Sequence, residues 1–272
     1  MMHFPLTLGH LLERARAYFG DTEIVSRGPE GHLHRHTWGK VYQRTAQLAH
    51  ALTRLGVKPG DRVATLAWNH HRHLEAYFAA PMMGAVVHTL NLRLHPTEIG
   101  YIARHAEDSV VLVDRSLLPL FEQLRANVPS IRHVVVMPDS GPTEGALDYE
   151  ALLAPEPTEF DWPKLDENAA AQICYTSGTT GNPKGVVYSH RSSVLHALSA
   201  CMADTLAMSM NDTVLPVVPM FHANAWGLPH ACAAVGAKMV FPGPKLDPES
   251  LLDLMAAERV TCAGGVPTIW LG

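Results

Sequence analysis

Eleven residues, Tyr175 to Gly185, carry most of the chemistry that this sequence could perform. They contain three glycines, three threonines, one serine and one lysine, in the order Tyr-Thr-Ser-Gly-Thr-Thr-Gly-Asn-Pro-Lys-Gly. Glycines allow close approach of the backbone to a ligand, hydroxyls donate to phosphate oxygens or ligate Mg²⁺, and a lysine adds a mobile positive charge. Converging backbone N–H groups supply further donors. The segment therefore predicts a polyphosphate site of the kind that would bind ATP.

A Walker A loop and a flexible surface turn are weaker interpretations of this segment. The Walker A pattern, G-x-x-x-x-G-K-[ST], does not fit, because Pro183 stands where the second glycine belongs and Lys184 is followed by glycine. A flexible turn of the same composition is disfavoured, because an apolar run at 169–174 leads into the segment and two valines at 186–187 lead out.

The order of residues in this segment closely resembles the phosphate loop of the adenylate-forming enzymes, which include acyl-CoA synthetases, adenylation domains and luciferases. Pro219–Gly227, with the sequence Pro-Met-Phe-His-Ala-Asn-Ala-Trp-Gly, is similar to the aromatic/histidine substrate-pocket motif of that superfamily, in the form typical of medium- and long-chain fatty acid–CoA ligases. Gly265–Thr268 is similar to a strand-to-helix turn of the same enzymes. The resemblance covers essentially the whole chain.

The resemblance implies a reaction in two half-steps. A carboxylate attacks the α-phosphorus of ATP to give acyl-AMP and pyrophosphate, and the thiol of coenzyme A then displaces AMP. Because two anions meet in the first step, charge neutralisation by Mg²⁺, lysine and backbone donors should dominate catalysis. By resemblance, Thr176 helps to bind Mg²⁺. The residues expected around the β- and γ-phosphates are Ser177, Gly178, Thr179, Thr180, Gly181 and Lys184.

The second motif implies the substrate residues. By resemblance, His222 lies beside the reacting carboxylate, where an imidazole donates a hydrogen bond or contributes charge. Trp226 would line the acyl path with its flat apolar face, next to Ala223. If a helix begins by His222, the spacing of four puts His222 and Trp226 on one face. The alternatives are a histidine packed at the end of a strand and a tryptophan of the core.

Three other functions stay open on the sequence alone. An adenylating ligase for an aryl or amino acid is the nearest, although residues 221–227 contain no acid to pair with an α-amine. A non-catalytic nucleotide-binding fragment is the second. It arises because the chain ends before the adenine, ribose, hinge and C-terminal lysine elements of the family. A Rossmann-type dinucleotide binder is disfavoured, because no G-x-G-x-x-G follows the early strands.

Composition limits the partners and the compartment. A net charge of −5 does not favour binding to the negatively charged backbone of a nucleic acid. Four cysteines without a C-x-x-C pair indicate free thiols in a reducing compartment, the cytoplasm. The N-terminus shows no signal peptide. The most apolar long run, 76–87, is too short to span a bilayer, so any membrane contact is peripheral. A homodimer is left open.

Two groups of histidines invite a metal interpretation. The first group stands in a predicted strand-to-helix turn with no acidic partner at ligand spacing, which disfavours a metal. The second alternates along a predicted strand and so shares one face, for which we expect a solvated surface of an N-terminal hairpin. The groups are His70, His71 and His73, and His32, His34 and His36.

The elements that position these residues predict an α/β fold. The predicted strands are continuous apolar runs, which favours sheets covered on both faces. We expect an N-terminal adenylating-domain fragment with two successive βα-alternating sheets, truncated before the C-terminal domain. In this partial AMP-binding domain, 1–272, we expect a first α/β part with the hairpin (1–137), a connection with little regular structure (138–166) and a second α/β part with the phosphate loop (167–272). The predicted helices cover 8–19, 38–55, 71–83, 96–106, 117–127, 190–208, 225–235 and 248–258, and the predicted strands cover 62–67, 85–90, 110–113, 133–137, 214–218, 238–241 and 260–263, with a hairpin over 23–38.

Overall fold

Two β-sheets form the framework of the computed structural model, which describes residues 3–139, 147–176 and 181–271. The strands are β1 (Glu23–Arg27), β2 (Leu33–Thr37), β3 (Arg62–Leu66), β4 (Val86–Thr89), β5 (Asp108–Asp114), β6 (His133–Met137), β7 (Leu147–Asp148), β8 (Ala170–Thr176), β9 (Lys184–Ser189), β10 (Thr213–Pro216), β11 (Lys238–Phe241) and β12 (Cys262–Gly264). The helices are α1 (Leu8–Phe19), α2 (Trp38–Arg54), α3 (His71–Met82), α4 (Pro96–His105), α5 (Leu118–Arg125), α6 (Tyr149–Leu153), α7 (His190–Ala200), α8 (Ala223–Trp226), α9 (Leu228–Val235), α10 (Pro248–Glu258) and α11 (Pro267–Trp270).

The two sheets are interleaved along the chain. The seven-stranded sheet has the order β7-β6-β5-β3-β4-β8-β9, and only its last pair is antiparallel. The five-stranded sheet has the order β12-β10-β11-β1-β2, and only β1 and β2 are antiparallel. The expected α/β class and the two sheets are confirmed, but the sheets are not successive. The hairpin β1–β2 joins the strands of the second half, and β8 and β9 extend the sheet of the first half.

Two predicted stretches differ from the structure. The helix expected over 190–208 ends at Ala200, because the chain turns and the hydroxyl of Thr205 caps the helix end by donating to the carbonyl of Ser199. The connection at 138–166 contains β7 and α6. Asp148 caps α6 by accepting from the N–H of Ala151 at 2.8 Å, and the buried ring of Tyr149 anchors the helix.

The histidine groups also differ from expectation. His70 does have an acidic partner, because its Nε2 lies 2.8 Å from Oδ1 of Asp114 at the end of β5. His34 and His36 are half-buried against α3, so the expected solvated face is wrong for them, and only His32 is exposed. Sequence spacing could not reveal either result, because the contacts join residues distant in the chain.

The largest hydrophobic cluster lies between the sheets. It combines side chains of the five-stranded sheet, such as Ile24 and Met239, with those of α1, α3, α7 and α9, and with Ala171 of β8. Trp38 is fully buried in it, and its indole N–H donates to the carbonyl of Ala237 at 3.0 Å, which satisfies its polar atom. This cluster fixes the two sheets against each other. Among the described residues, no helix has the length and apolarity to cross a membrane.

One buried asparagine joins the carboxyl ends of strands from both sheets. Asn69 follows β3, and its amide donates to the carbonyls of Pro216 at 2.9 Å and Val218 at 3.0 Å. Its oxygen accepts from the N–H of Met220 at 2.8 Å. Ligand sites of open α/β sheets lie outside these carboxyl ends. Asn69 therefore brings the segment after β10 to the edge where such a site is expected.

Candidate active site

The predicted phosphate loop lies between two strands, as expected. β8 and β9 form an antiparallel hairpin in which Thr176 pairs with Lys184. β8 also runs parallel to β4, so its carboxyl end lies at the same edge of the sheet as that of β4. Four of the residues expected around the phosphates fall outside the described residues: Ser177, Gly178, Thr179 and Thr180. Gly181 lies just beyond them, at the far side of the loop.

The two residues that flank the loop are available to a ligand. Thr176 and Lys184 are both exposed. Within the described ranges, the ammonium of Lys184 forms no ion pair and the hydroxyl of Thr176 forms no hydrogen bond. An exposed hydroxyl oxygen is the type of ligand that Mg²⁺ accepts beside phosphate oxygens and water. Thr176 therefore fits one oxygen position of an ion that is shared with a bound nucleotide.

Gly185 and Tyr175 set the shape of the hairpin. A Cβ on Gly185 would stand 3.1 Å from the ring of Tyr175, closer than ordinary van der Waals contact. The phenol of Tyr175 lies 2.6 Å from Nδ1 of His105, at the end of α4. The glycine is thus needed for ring packing, and the tyrosine ties the hairpin to the neighbouring helix. The motif located both residues in sequence but gave no role for the tyrosine.

The substrate-pocket segment folds differently from the prediction. Four consecutive residues, Ala223 to Trp226, have φ values of 43°, 51°, 50° and 54°, so α8 is a left-handed turn. The helix predicted over 225–235 begins at Leu228. Left-handed φ costs a non-glycine residue roughly 1–2 kcal/mol. Because no right-handed helix begins at His222, the argument that His222 and Trp226 share a helix face is wrong.

Gly227 closes the left-handed turn. Its φ is +70°, which glycine adopts without strain. A Cβ at this position would lie 2.4 Å from Cδ2 of His196, so the imidazole ring would have to move. His196 in turn donates from Nε2 to the carbonyl of Trp226 at 3.0 Å, because only the ring nitrogen carries a proton in that pair. This hydrogen bond therefore holds the left-handed turn against α7.

A buried polar network supports the turn from below. The amide of Asn224 donates to Oε1 of Gln172 at 2.9 Å, and its oxygen accepts from the thiol of Cys174 at 3.0 Å. Gln172 also bonds Nε2 of His230 at 3.1 Å and accepts from the hydroxyl of Ser193 at 3.3 Å. Such a network compensates the strain of the turn. Sequence reasoning missed these residues, because single polar residues in apolar runs have no spacing signal.

Burial fixes the charge state of this network. It lowers the pKa of His230 to about 3, because the low-dielectric interior disfavours the imidazolium form. Burial likewise raises the pKa of the Cys174 thiol. Both groups are neutral at pH 7, so the network carries no charge at the base of the turn.

An open cavity of about 410 Å³ lies over the left-handed turn. It brings together Ala223 and Trp226, two of the three predicted substrate residues, and Trp226 is 39% exposed. His222, the third, is exposed and lies outside the cavity wall. The wall residues are Gln172, Tyr188, Ser192, Ser193, His196, Ala223, Asn224, Trp226, Gly227 and His230.

The loop and the cavity share one strand, since β8 leads into the loop and contributes Gln172 to the cavity wall. A glycine- and hydroxyl-rich segment that follows a parallel strand, with a cavity beside that strand, is an arrangement typical of nucleotide-dependent α/β domains. The model of the family described as "AMP-binding enzyme" matches residues 12–272, and the chain belongs to that family.

The chain is similar to acyl-CoA ligases over its whole length. It is 56% identical over 271 residues to a long-chain-fatty-acid–CoA ligase of Thermus thermophilus, covering 100% of this chain and 49% of that protein. It is 48% identical over 277 residues to a medium-chain-fatty-acid–CoA ligase of Ectopseudomonas oleovorans, covering 100% of this chain and 51% of that protein. The chain thus spans about half the length of the curated relatives it matches.

Solved structures share the fold. The inhibitor-bound N-terminal domain of FACL13 from Mycobacterium tuberculosis superposes with a TM-score of 0.83 at 27% identity, over 97% of this chain and 63% of that one. An anthranilate CoA ligase in complex with anthranoyl-AMP superposes with a TM-score of 0.88 at 24% identity, over 99% of this chain and 50% of that one. The second likeness bears on the fold alone.

Proposed function

We propose that this chain forms the phosphate loop and part of the acyl cavity of an AMP-forming fatty acid–CoA ligase. The observation that carries the proposal is the connection through β8, which leads into the phosphate loop and contributes Gln172 to the wall of the cavity. Similarity to relatives named as long- and medium-chain fatty acid–CoA ligases supports the substrate class. The proposed co-substrates are ATP and coenzyme A.

In this mechanism the chain binds and neutralises the polyphosphate. Lys184 presents its ammonium to the β- and γ-phosphates, together with the loop residues 177–181. Thr176 would bind Mg²⁺ through its hydroxyl, and the ion when bound neutralises phosphate charge. The fatty acid carboxylate then attacks the α-phosphorus, the bond to the β-phosphate oxygen breaks, and pyrophosphate leaves with the electron pair. The thiol of coenzyme A displaces AMP in the second step.

The cavity favours an apolar substrate. Its wall contains no carboxylate and no lysine or arginine, so a charged acyl chain would find no partner among the described wall residues. The rings of Trp226 and Tyr188 offer flat apolar contact, which suits methylene groups. His222 immediately precedes the turn that carries Trp226, so we assign its side chain to the reacting carboxylate.

Pyrophosphate exchange tests this function. We would measure acid-dependent exchange of labelled pyrophosphate into ATP, with fatty acids of increasing length, benzoate and an amino acid. The purified chain and a longer version with the length of the curated relatives are compared. Fatty acid preference supports the proposal, and preference for benzoate or an amino acid overturns the substrate class. ATP binding without exchange in both versions would instead indicate a nucleotide-binding protein.

His222 has its own test in the longer version. His222→Ala should slow acyl-AMP formation at saturating ATP and leave ATP affinity close to that of the wild type. If ATP affinity collapses while the saturated rate is unchanged, His222 belongs to the nucleotide site. His133→Ala, on β6 and outside the cavity wall, is the matched control and should behave as the wild type does.

We further infer that the protein works in the cytoplasm. The observation in support is that Cys174, Cys201, Cys232 and Cys262 are all free thiols, which suits a reducing compartment. We also propose a homodimer, supported by exposed apolar side chains of α7 and the turn after it, Leu195, Leu198 and Met202. Light scattering tests it, and a monomer mass at micromolar concentration would overturn it.

A further inference from the structure

Three histidine rings meet where the N-terminal hairpin packs on α3. His34 and His36 lie two residues apart on β2 and so share a face, and His71 is the first residue of α3. The ring centroids are 4.1 Å apart for His34 and His36, 4.1 Å for His34 and His71, and 4.7 Å for His36 and His71. One nitrogen from each ring lies within 4.8 Å of the other two. The cluster is separate from the phosphate loop and from the cavity over the left-handed turn.

Four of the six ring nitrogens of this cluster are buried without partners. Nε2 of His34, Nδ1 of His36 and both nitrogens of His71 form no hydrogen bond to any residue in the described part of the chain. Buried polar atoms normally form hydrogen bonds, so several unpaired ring nitrogens at one place require an explanation. The neighbouring His70 and His73 are satisfied, by Asp114 and by Thr65 and the carbonyl of Trp68. Single unpaired atoms occur elsewhere, on Thr45, His88, Ser130 and His190, but this cluster brings four of them together on adjacent rings.

Neutral imidazole is the form that ligates a metal, and these rings are neutral at pH 7. Burial lowers the pKa of His36 to about 3, and that of His71 well below its ordinary value. Burial also lowers the pKa of His34, with a contribution from the positive charge of Arg72. Protons do not compete for the three lone pairs near neutral pH.

The nearest positive charges are balanced by acids. Arg44 lies 2.7 Å from Glu75 and 2.8 Å from Glu150, and Arg72 lies 2.6 Å from Glu150. Two guanidinium groups thus share two carboxylates beside the cluster. The acids thus offset the two guanidinium charges nearest the cluster, and Lys40 adds a smaller positive contribution at His36.

We propose that His34, His36 and His71 form a binding site for a divalent transition-metal ion, with Zn²⁺ as the preferred ion. Tetrahedral Zn²⁺ binds imidazole at about 2.0–2.1 Å, which places ligand nitrogens roughly 3.3 Å apart. The present spacing is up to 4.8 Å, so ion binding would require the side chains to rotate towards one another. His34 and His71 also line a surface cavity together with His32, which leaves a fourth position for water or for the His32 ring.

Such an ion would connect elements of both sheets. His34 and His36 belong to the five-stranded sheet, and His71 begins the helix that follows β3 of the seven-stranded sheet. The proposed role is therefore structural: the ion would crosslink the hairpin to α3. The site lies two residues along the chain from Asn69, which also bonds elements of both sheets. It predicts that the ion stabilises the fold without taking part in the chemistry of the phosphate loop.

Metal titration of the purified protein tests the proposal. After treatment with a chelator, Zn²⁺ is titrated by calorimetry, and Co²⁺ is added as a spectroscopic probe. We expect one ion per chain with a dissociation constant below ~10 µM. The Co²⁺ complex should show tetrahedral absorption bands and no thiolate charge-transfer band, which separates this site from the four cysteines. Absence of Zn²⁺ binding at that concentration, or a thiolate band, would overturn the site.

Single substitutions identify the ligands. His34→Gln, His36→Gln and His71→Gln should each weaken Zn²⁺ binding at least tenfold. His133→Gln on β6 is the control and should bind as the wild type does. His71 is buried, so its variant is first checked for folding by circular dichroism, and the two half-buried β2 positions carry the test if it does not fold. Equal affinity in the β2 variants and the wild type would contradict the assignment.

Discussion

The thiol of Cys174 donates to the side-chain oxygen of Asn224 at 3.0 Å. Cys174 lies two residues before Thr176, where the phosphate loop begins, and Asn224 lies two residues before Trp226, on the cavity wall. One short contact thus joins the strand of the proposed nucleotide site to the turn of the proposed acyl site. A change in either element should affect the other, because both groups are buried and have few alternative partners.

Asn224→Ala should destabilise the protein. The side chain is 4% exposed, and its removal takes the acceptor at 3.0 Å from the Cys174 thiol, which keeps Thr89 at 3.3 Å, and one donor from Gln172. An unsatisfied buried polar group costs about 1–3 kcal/mol. Urea unfolding should show a loss of that size in the free energy of unfolding. Asn211→Ala, in an exposed turn, should change it by less than about 0.5 kcal/mol. Equal effects of the two substitutions would contradict a structural role for the network.

Ala223→Gly should stabilise the left-handed turn or leave its stability unchanged. Ala223 has a φ of 43°, a region that costs a residue with a Cβ roughly 1–2 kcal/mol and costs glycine almost nothing. The control is Ala231→Gly in the right-handed helix α9, which should cost about 1 kcal/mol or more. Both free energies of unfolding are measured in urea. A loss at Ala223 as large as at Ala231 would show that the turn is not left-handed in solution.

Lys184→Ala should weaken ATP binding and leave the fold intact. The ammonium is exposed at the start of β9, so its removal disturbs no packing. A charge-assisted hydrogen bond contributes about 1.5–3 kcal/mol, which corresponds to a loss of roughly 10- to 100-fold in affinity. Calorimetry with MgATP measures the affinity, and thermal unfolding checks the fold. Lys58→Ala, at another exposed lysine, is the control, and a similar affinity in the two variants would exclude Lys184 from the nucleotide site.

Acid should destabilise the protein through its buried histidines. Burial lowers the pKa of both His73 and His230 to about 3, whereas histidine in an unfolded chain titrates near 6.5. Below pH 6.5 the unfolded chain binds more protons, so the stabilisation is complete above pH 6.5 and is lost as the pH falls towards 3. Each histidine contributes a loss of roughly 1.4 kcal/mol per pH unit in that window.

Urea unfolding at pH 7.5 and pH 5.5 measures this dependence. The two histidines together should lower the free energy of unfolding by roughly 3 kcal/mol at the lower pH. His73→Gln is less stable at both pH values, because it loses a contact to Thr65, but its pH dependence should be smaller by about half that amount. A free energy of unfolding that is the same at both pH values would show that these rings are not buried as neutral groups.

Local signals predicted much of the secondary structure. The helix over 8–19 and the strand over 133–137 begin and end at the predicted residues, because apolar periodicity and flanking turns are encoded in adjacent residues. The pairing of β1 with β11 was not predictable, since Ile24 and Met239 meet only through tertiary packing. The left-handed turn was missed for a different reason. Residues 223–226 contain no glycine, the usual signal for positive φ.

The candidate site was predictable to the extent that it follows a contiguous motif. The motif identified Ala223 and Trp226, which do lie on one cavity wall. Gln172 and His230 join the same wall from two other elements, and nothing in their spacing indicates this. The histidine cluster shows the same limit. Alternation revealed that His34 and His36 share a face, but only the packing of α3 supplies His71.

Trp226 should determine the preference for acyl length. Its ring lies on the cavity wall and is 39% exposed, so it is accessible to a ligand rather than part of the core. Trp226→Ala replaces a large ring by a methyl group and enlarges the cavity beside the turn. His196 bonds the backbone carbonyl of this residue, not the ring, so the turn should keep its position in the variant.

The measurement is adenylation of saturated fatty acids of increasing length by the longer version of the protein, wild type against Trp226→Ala. One buried methylene contributes about 0.8 kcal/mol, or roughly fourfold in kcat/KM. Because the enlarged cavity accommodates additional methylenes, the optimum should move to longer chains, and short acids should lose kcat/KM with the lost ring contact. Trp270→Ala, at an exposed ring of α11 outside the cavity wall, should leave the profile unchanged. An unaltered profile in Trp226→Ala would show that the ring does not contact the acyl chain.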